Sequence, residues 1–124
     1  QDSMTTSVKL YVSPISNLFQ AVSKLLREPH GCFEQTSATT YPLVMAQQFF
    51  IANPTFPRAG QLMKEAEALL KKGYEKLVGF ESETRGYEWF GGSPGHEALS
   101  AYGLLQFIEM KKVLPDLVDS EMIK

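Results

Sequence analysis

Gly31-Cys32-Phe33-Glu34-Gln35, followed by Thr36-Ser37 and then Tyr41-Pro42, lies between two apolar patterns of helical period. Cys32 is the one cysteine of the chain, so it makes no internal disulfide and cannot alone make a zinc site. It stands three positions before Gln35. In a loop entering a helix, that spacing lets the thiol reach the Gln35 side-chain carbonyl across one turn. Loss of ammonia then leaves an internal thioester, a stored acyl donor. Attack by an amine or a hydroxyl transfers the Gln35 acyl group and frees the thiol, which is nucleophilic covalent chemistry run once. Backbone N–H groups at the helix start are available to stabilise the oxyanion. The competing reading of Cys32 is a buried inert thiol, since free cysteine is among the most buried residue types.

Upstream of this stretch, Ile15, Leu18, Phe19, Val22, Leu25 and Leu26 form one apolar stripe. The spacing predicts a helix from Pro14, capped by Ser13, to Glu28, with Pro29 as its stop. Val8, Leu10 and Val12 alternate with Lys9 and Tyr11, the period of a short strand. Downstream, residues 28–40 read as a polar connection. Pro42 marks the expected start of a second helix, with Thr40 or Tyr41 as cap and Asn53-Pro54 as its stop. Apolar residues cover most of its circumference, the pattern of an inner, buried helix. A third helix is expected from Arg58 to Phe80. Leu62, Ala66, Leu69, Leu70, Gly73, Leu77 and Val78 face inward, and Glu67 and Lys71 are spaced to pair on the solvated side. Residues 81–95 mix glycine with Tyr87, Trp89 and Phe90, which suggests a loop packed against the core. A fourth helix follows from His96 to Val113, and Pro115 opens a last one. Polar-faced and apolar helices thus alternate, which suits an all-α, layered α/α arrangement.

The 124 residues allow one domain. They are 44% hydrophobic and 21% charged, which excludes disordered and low-complexity classes. The net charge of −2 lacks the basic excess of a nucleic-acid binder. No apolar run reaches the roughly 20 residues of a membrane span. No signal-peptide pattern opens the chain and no capping glycine closes it, so a piece of a larger protein is expected.

Gly-Cys-Phe-Glu-Gln-Thr-Ser followed by Tyr-Pro resembles the thioester region of the α2-macroglobulin family, its bacterial members above all. Animal members carry Gly-Cys-Gly-Glu-Gln, and bacterial forms resemble Cys-Leu-Glu-Gln-Thr. The helix ending at Pro29 sits where the family places the helix before its thioester. Tyr87-Glu88-Trp89-Phe90-Gly91 and Leu99-Ser100-Ala101-Tyr102 resemble the family's Phe-Gly loop and Leu-Thr-Ala-Tyr helix. The likeness covers the chain from about Val8 to Val113. It implies a partial α/α toroid over residues 14–124, with residues 1–13 and their short strand ending a neighbouring β domain or linker. It implies Cys32 and Gln35 as thioester partners and Glu34 as the acidic position between them, with no cofactor and no metal. It also implies a protease inhibitor acting by single-use acyl transfer and not by turnover. Cleavage of a bait region exposes the thioester, which couples to the attacking protease. The partners implied are target proteases and neighbouring macroglobulin β domains. The implied setting is periplasmic or extracellular, with bacterial defence as the role; complement relatives tag surfaces by the same bond. Phe33 departs from the animal glycine and is expected to shield the bond or restrict the loop. No residue matches the downstream His of complement relatives, and His96 belongs to a different helix start.

Two other functional classes fit the residues less well. One is a non-covalent interaction domain on the same helices with the thioester lost. The other is a toroidal glycoside hydrolase using a carboxylate pair among Glu81, Glu83, Glu88 and Glu97, with Tyr87, Trp89 and Phe90 against a sugar or peptide. His30, near Cys32, reads as a solvated loop histidine and His96 as a helix-start residue. Lys71-Lys72 reads as a solvated face. Phe49, Phe50 and Phe107 are expected to remain as apolar edges that favour association.

Overall fold

The computed structural model describes residues 3–8 and 14–123. Four helices follow one another: α1 (Pro14–Ser23), α2 (Phe33–Ala52), α3 (Ala59–Val78) and α4 (Glu97–Val113), closed by a 3-10 turn at Ser120–Ile123. Among the described residues no strand forms; the one β-bridge joins Glu81 to Tyr87. Of the expected Val8–Val12 strand, only Val8 lies within the described residues, where it is irregular. The Ser13 cap lies outside them.

Helix α1 starts at Pro14 as its proline at N1 suggests, but ends five residues before Glu28. The chain tightens instead of continuing: Leu25 N–H donates to the Val22 carbonyl at 2.9 Å and Arg27 N–H to the Leu25 carbonyl at 2.9 Å. Pro29 disfavours helical geometry at the residue before it, and this departure turns Leu26 inward, where it packs against both apolar clusters of the molecule.

Helix α2 corrects the expectation more sharply. It begins at Phe33, and Pro42 lies inside it. Residues 33–40 are helix because Phe33, Thr36, Ser37, Thr40, Leu43, Val44, Gln47 and Phe50 form one continuous buried face. Small hydroxyl side chains fill its first half, where α3 comes too close for larger ones. A Cβ at Gly73 would lie 2.5 Å from Thr40 Oγ1, so glycine there is what lets the two helices touch. The far end stops as expected. Asn53 N–H donates to the Phe49 carbonyl at 2.9 Å, and its side-chain amide donates to the same oxygen.

Helix α3 buries Leu62, Ala66, Leu70, Gly73 and Leu77 and holds the Lys71–Glu67 ion pair at 3.0 Å on its outer side. Helix α4 buries Leu99, Gly103, Gln106, Phe107 and Met110. Tyr41 meets Tyr102 edge-on at 6.0 Å, and Gln48 donates to Glu109 at 2.9 Å. These two contacts step along both helices in the same direction, so α2 and α4 run parallel.

The expected last helix is replaced by turns and the short 3-10 segment. Val118 plugs the core there, and the Lys111 ammonium fastens the segment to the Val118 carbonyl at 3.3 Å and to Ser120 Oγ. The expected apolar edges are also reassigned. Phe50 and Phe107 are fully buried and Phe49 is half-buried, whereas Met45, Ile51, Leu104, Leu105 and Ile108 are exposed. Helix α2 is therefore inner on most of its circumference but not all of it.

Candidate functional site

Cys32 is the N-cap of α2, with extended backbone, so its residue ends the loop and its carbonyl opens the helix. Its carbonyl accepts from Thr36 N–H at 2.9 Å. The Gln35 side chain folds back over this turn: Cys32 N–H donates to Gln35 Oε1 at 3.1 Å. In the same capping arrangement the Cys32 side chain faces the Gln35 backbone N–H. Thiol and carboxamide thus share one helical turn, with the amide oxygen already on a backbone donor at the positive end of the helix.

Gly31 makes this possible. Its φ is +82°, a left-handed conformation that side chains disfavour. A Cβ there would stand 1.8 Å from Gln35 Oε1 and 2.7 Å from Gln35 Cδ. The fold of the Gln35 side chain therefore needs an unsubstituted carbon at position 31. Thr36 Oγ1 donates to the His30 carbonyl at 3.2 Å, tying the entering loop to the first turn. Glu34 is exposed in that turn, where a carboxylate suits the helix dipole.

Phe33, expected to shield the bond or restrict the loop, restricts it. Its ring turns inward, is fully buried, and stacks on Tyr87 at 4.9 Å with Phe80 edge-on at 6.2 Å. A Cβ at Gly103 would lie 2.8 Å from Phe33 Cζ, so α4 offers glycine where the ring lands. Phe33 N–H donates to the Trp89 carbonyl at 2.8 Å. Phe33, one of the two residues between Cys32 and Gln35, is thus an anchor that locks the turn to the core and to the 81–95 loop. Burial also pushes the Tyr87 phenol well above the ordinary tyrosine value, helped by the charge of Glu81.

The loop itself is fastened at several points. Tyr87 N–H donates to Ser100 Oγ at 2.9 Å, His96 N–H to the Tyr87 carbonyl at 2.7 Å, and Gly86 N–H to Ser82 Oγ at 3.0 Å; Thr84 Oγ1 donates to the Pro94 carbonyl. Of its aromatics only Tyr87 packs in the core. Trp89 is partly exposed and Phe90 is 82% exposed, which corrects the expectation that all three pack inward. His30 is exposed and His96 is the N-cap of α4, so neither pairs with Cys32 as a nucleophile–base couple. Glu81 is bound to Arg85 at 3.2 Å.

A family model for the A-macroglobulin TED domain, the thioester-containing domain, matches residues 3–124. The chain belongs to that family. Comparison with curated proteins and with solved structures finds no match. The Cys32–Gln35 turn lies within the matched residues of this TED domain. Sequence reading missed the surroundings of the turn. A groove of about 400 Å³ beside it is lined by Glu34, Ala38, Trp89, His96, Ala98, Leu99 and Tyr102. Its members come from three separate segments, and no local spacing in the sequence brings them together. Among the described residues of this TED domain, no cluster of His, Cys, Asp or Glu could hold a metal ion, and no helix is long and apolar enough to cross a membrane.

Proposed function

We propose that this TED domain forms a Cys32–Gln35 thioester and serves in covalent capture of attacking proteases. The observation that carries the reading is the Gln35 side chain folded onto the Cys32 N–H at 3.1 Å, within the turn that also holds the thiol. In the forming step, Cys32 Sγ attacks Gln35 Cδ, the C–N bond breaks, and ammonia leaves with the thiol proton. Oxygen charge developing on Oε1 meets the Cys32 N–H, a preorganised donor at a helix start. In the capture step an amine attacks the same carbon. The C–S bond breaks, a stable amide forms, and the thiol regains a proton. Each site reacts once, so the domain is a stored acyl donor and not an enzyme. Glu34 supports the turn through its place in the first turn of α2.

The domain belongs, on this reading, to an α/α toroid beside macroglobulin β domains in an α2-macroglobulin-like inhibitor. A periplasmic or extracellular setting and a defensive role in bacteria accompany it. Intact-mass measurement of the protein in its natural parent, before and after methylamine, tests the chemistry. The expected result is a mass lower by one ammonia, and methylamine incorporated at Gln35 with release of a titratable Cys32. A parent of unmodified mass that takes up no methylamine overturns the thioester. A parent that couples methylamine but not a protease overturns the capture role alone.

A further inference from the structure

The groove beside the turn has a definite chemical character. One wall is Glu34, an exposed carboxylate with no ion pair among the described residues. Two others carry the rings of Trp89 and Tyr102, and small and aliphatic side chains, Ala38, Ala98 and Leu99, complete the lining. His96, its ring 5.8 Å from that of Trp89, is the remaining titratable side chain of the lining. A lone carboxylate beside an indole and a phenol, among aliphatic side chains, is the composition that attracts an organic cation. The negative faces of aromatic rings favour ammonium ions, tryptophan most of all. The aliphatic side chains receive a hydrocarbon stem. The reach of the Glu34 charge into the groove also shows at Tyr102, whose phenol is held above its ordinary value by burial, by Tyr41 and by Glu34.

We propose that this groove binds an organic ammonium ion of the lysine side-chain type, with Glu34 as counter-charge and Trp89 and Tyr102 as its aromatic walls. A protonated amine has no lone pair, so the group held here is not the one that attacks Gln35. The groove instead selects a basic residue of the docked chain, next to the residue that becomes acylated. That use rests on the proposed function; the binding itself does not.

Trp89 is the only tryptophan of the chain, so its fluorescence reports on this groove alone. The probe is choline, whose quaternary nitrogen cannot aminolyse a thioester, compared with its uncharged isostere 3,3-dimethylbutan-1-ol. The expected result is a saturable change in Trp89 emission with choline and none with the alcohol. Glu34→Gln is expected to weaken choline binding about two- to fivefold, the scale of one exposed ion pair. Ala38→Lys, an exposed helical position, places an internal ammonium beside the groove and is expected to abolish the response. Circular dichroism verifies the fold of both variants. Equal saturation by the alcohol overturns the proposal, as does unchanged choline binding in both variants or no saturable response at all. Intact mass, read on the same samples, separates these outcomes from failure of the thioester reading. A domain without the ammonia deficit that still binds choline keeps the groove and loses the capture chemistry.

Discussion

At Gly31 two demands meet on one atom. The backbone is left-handed, with φ at +82°, and the space a Cβ would fill is taken by the Gln35 carboxamide. Gly60 offers the contrast: it stands early in α3, and a Cβ added there would meet nothing within 4 Å. Gly31→Ala is expected to destabilise the domain by about 1–3 kcal/mol, the scale of a residue held in a disfavoured backbone region. Gly60→Ala is expected to stabilise it by up to about 1 kcal/mol through helix propensity. Urea titration of both variants checks the pair, and loss of the Gln35–Cys32 contact makes Gly31→Ala the variant in which no ammonia deficit appears. The proximity of Cys32 and Gln35 was legible in the sequence because their spacing lies within one turn. The inward turn of Phe33 was not, because Tyr87, Phe80 and Gly103 reach it from distant segments and nothing local shows which way its ring turns.

At the scale of the element, α2 shows why local signals fail. Pro42 and the run Thr36-Ser37-Ala38-Thr39-Thr40 look like a boundary, since hydroxyl residues favour turns and proline lacks the N–H a helix interior needs. The structure carries the helix straight through them. What overrides propensity is packing: hydroxyls small enough to fit against Gly73, and a face that stays buried from Phe33 to Phe50. The proline then has a cost, because it gives no N–H to the Ala38 carbonyl. Pro42→Ala restores that donor. It is expected to raise stability by about 2 kcal/mol, the helix-propensity gain less the greater freedom of the unfolded chain. A urea midpoint that does not rise would mean that the Ala38 carbonyl already has an equivalent partner. Helices α3 and α4 were readable to within two residues at each end. The last segment was not, because Pro115 begins turns held by Lys111 and not a helix.

For the molecule as a whole, the described residues form two apolar clusters joined through Leu26. The helical periods correctly implied an all-helical fold, and α2 is its most buried helix, whereas α4 exposes Leu104, Leu105 and Ile108. The alternation of polar-faced and apolar helices misjudged which apolar residues stay outside, because composition does not say which side of a mostly apolar helix meets its neighbours. Along the parallel pair α2 and α4, the rungs Tyr41–Tyr102 and Gln48–Glu109 bracket Met45 and Leu105, which are 56% and 49% exposed. Ile108 continues the stripe one turn further along α4. Contiguous exposed apolar surface of this kind favours association. The chain is therefore expected to self-associate through the α2–α4 face, with a weight-average mass that rises above 13.9 kDa as concentration increases in sedimentation velocity. Met45→Gln with Leu105→Gln is expected to hold it at the monomer mass. Both side chains lie outside the two clusters, so stability should shift by no more than about 0.5 kcal/mol per site. The same substitutions at a site that mattered for folding would lower the urea midpoint instead. A wild-type chain monomeric at every concentration would show that Gln48, Glu109 and the flanking tyrosines keep the stripe too narrow to adhere.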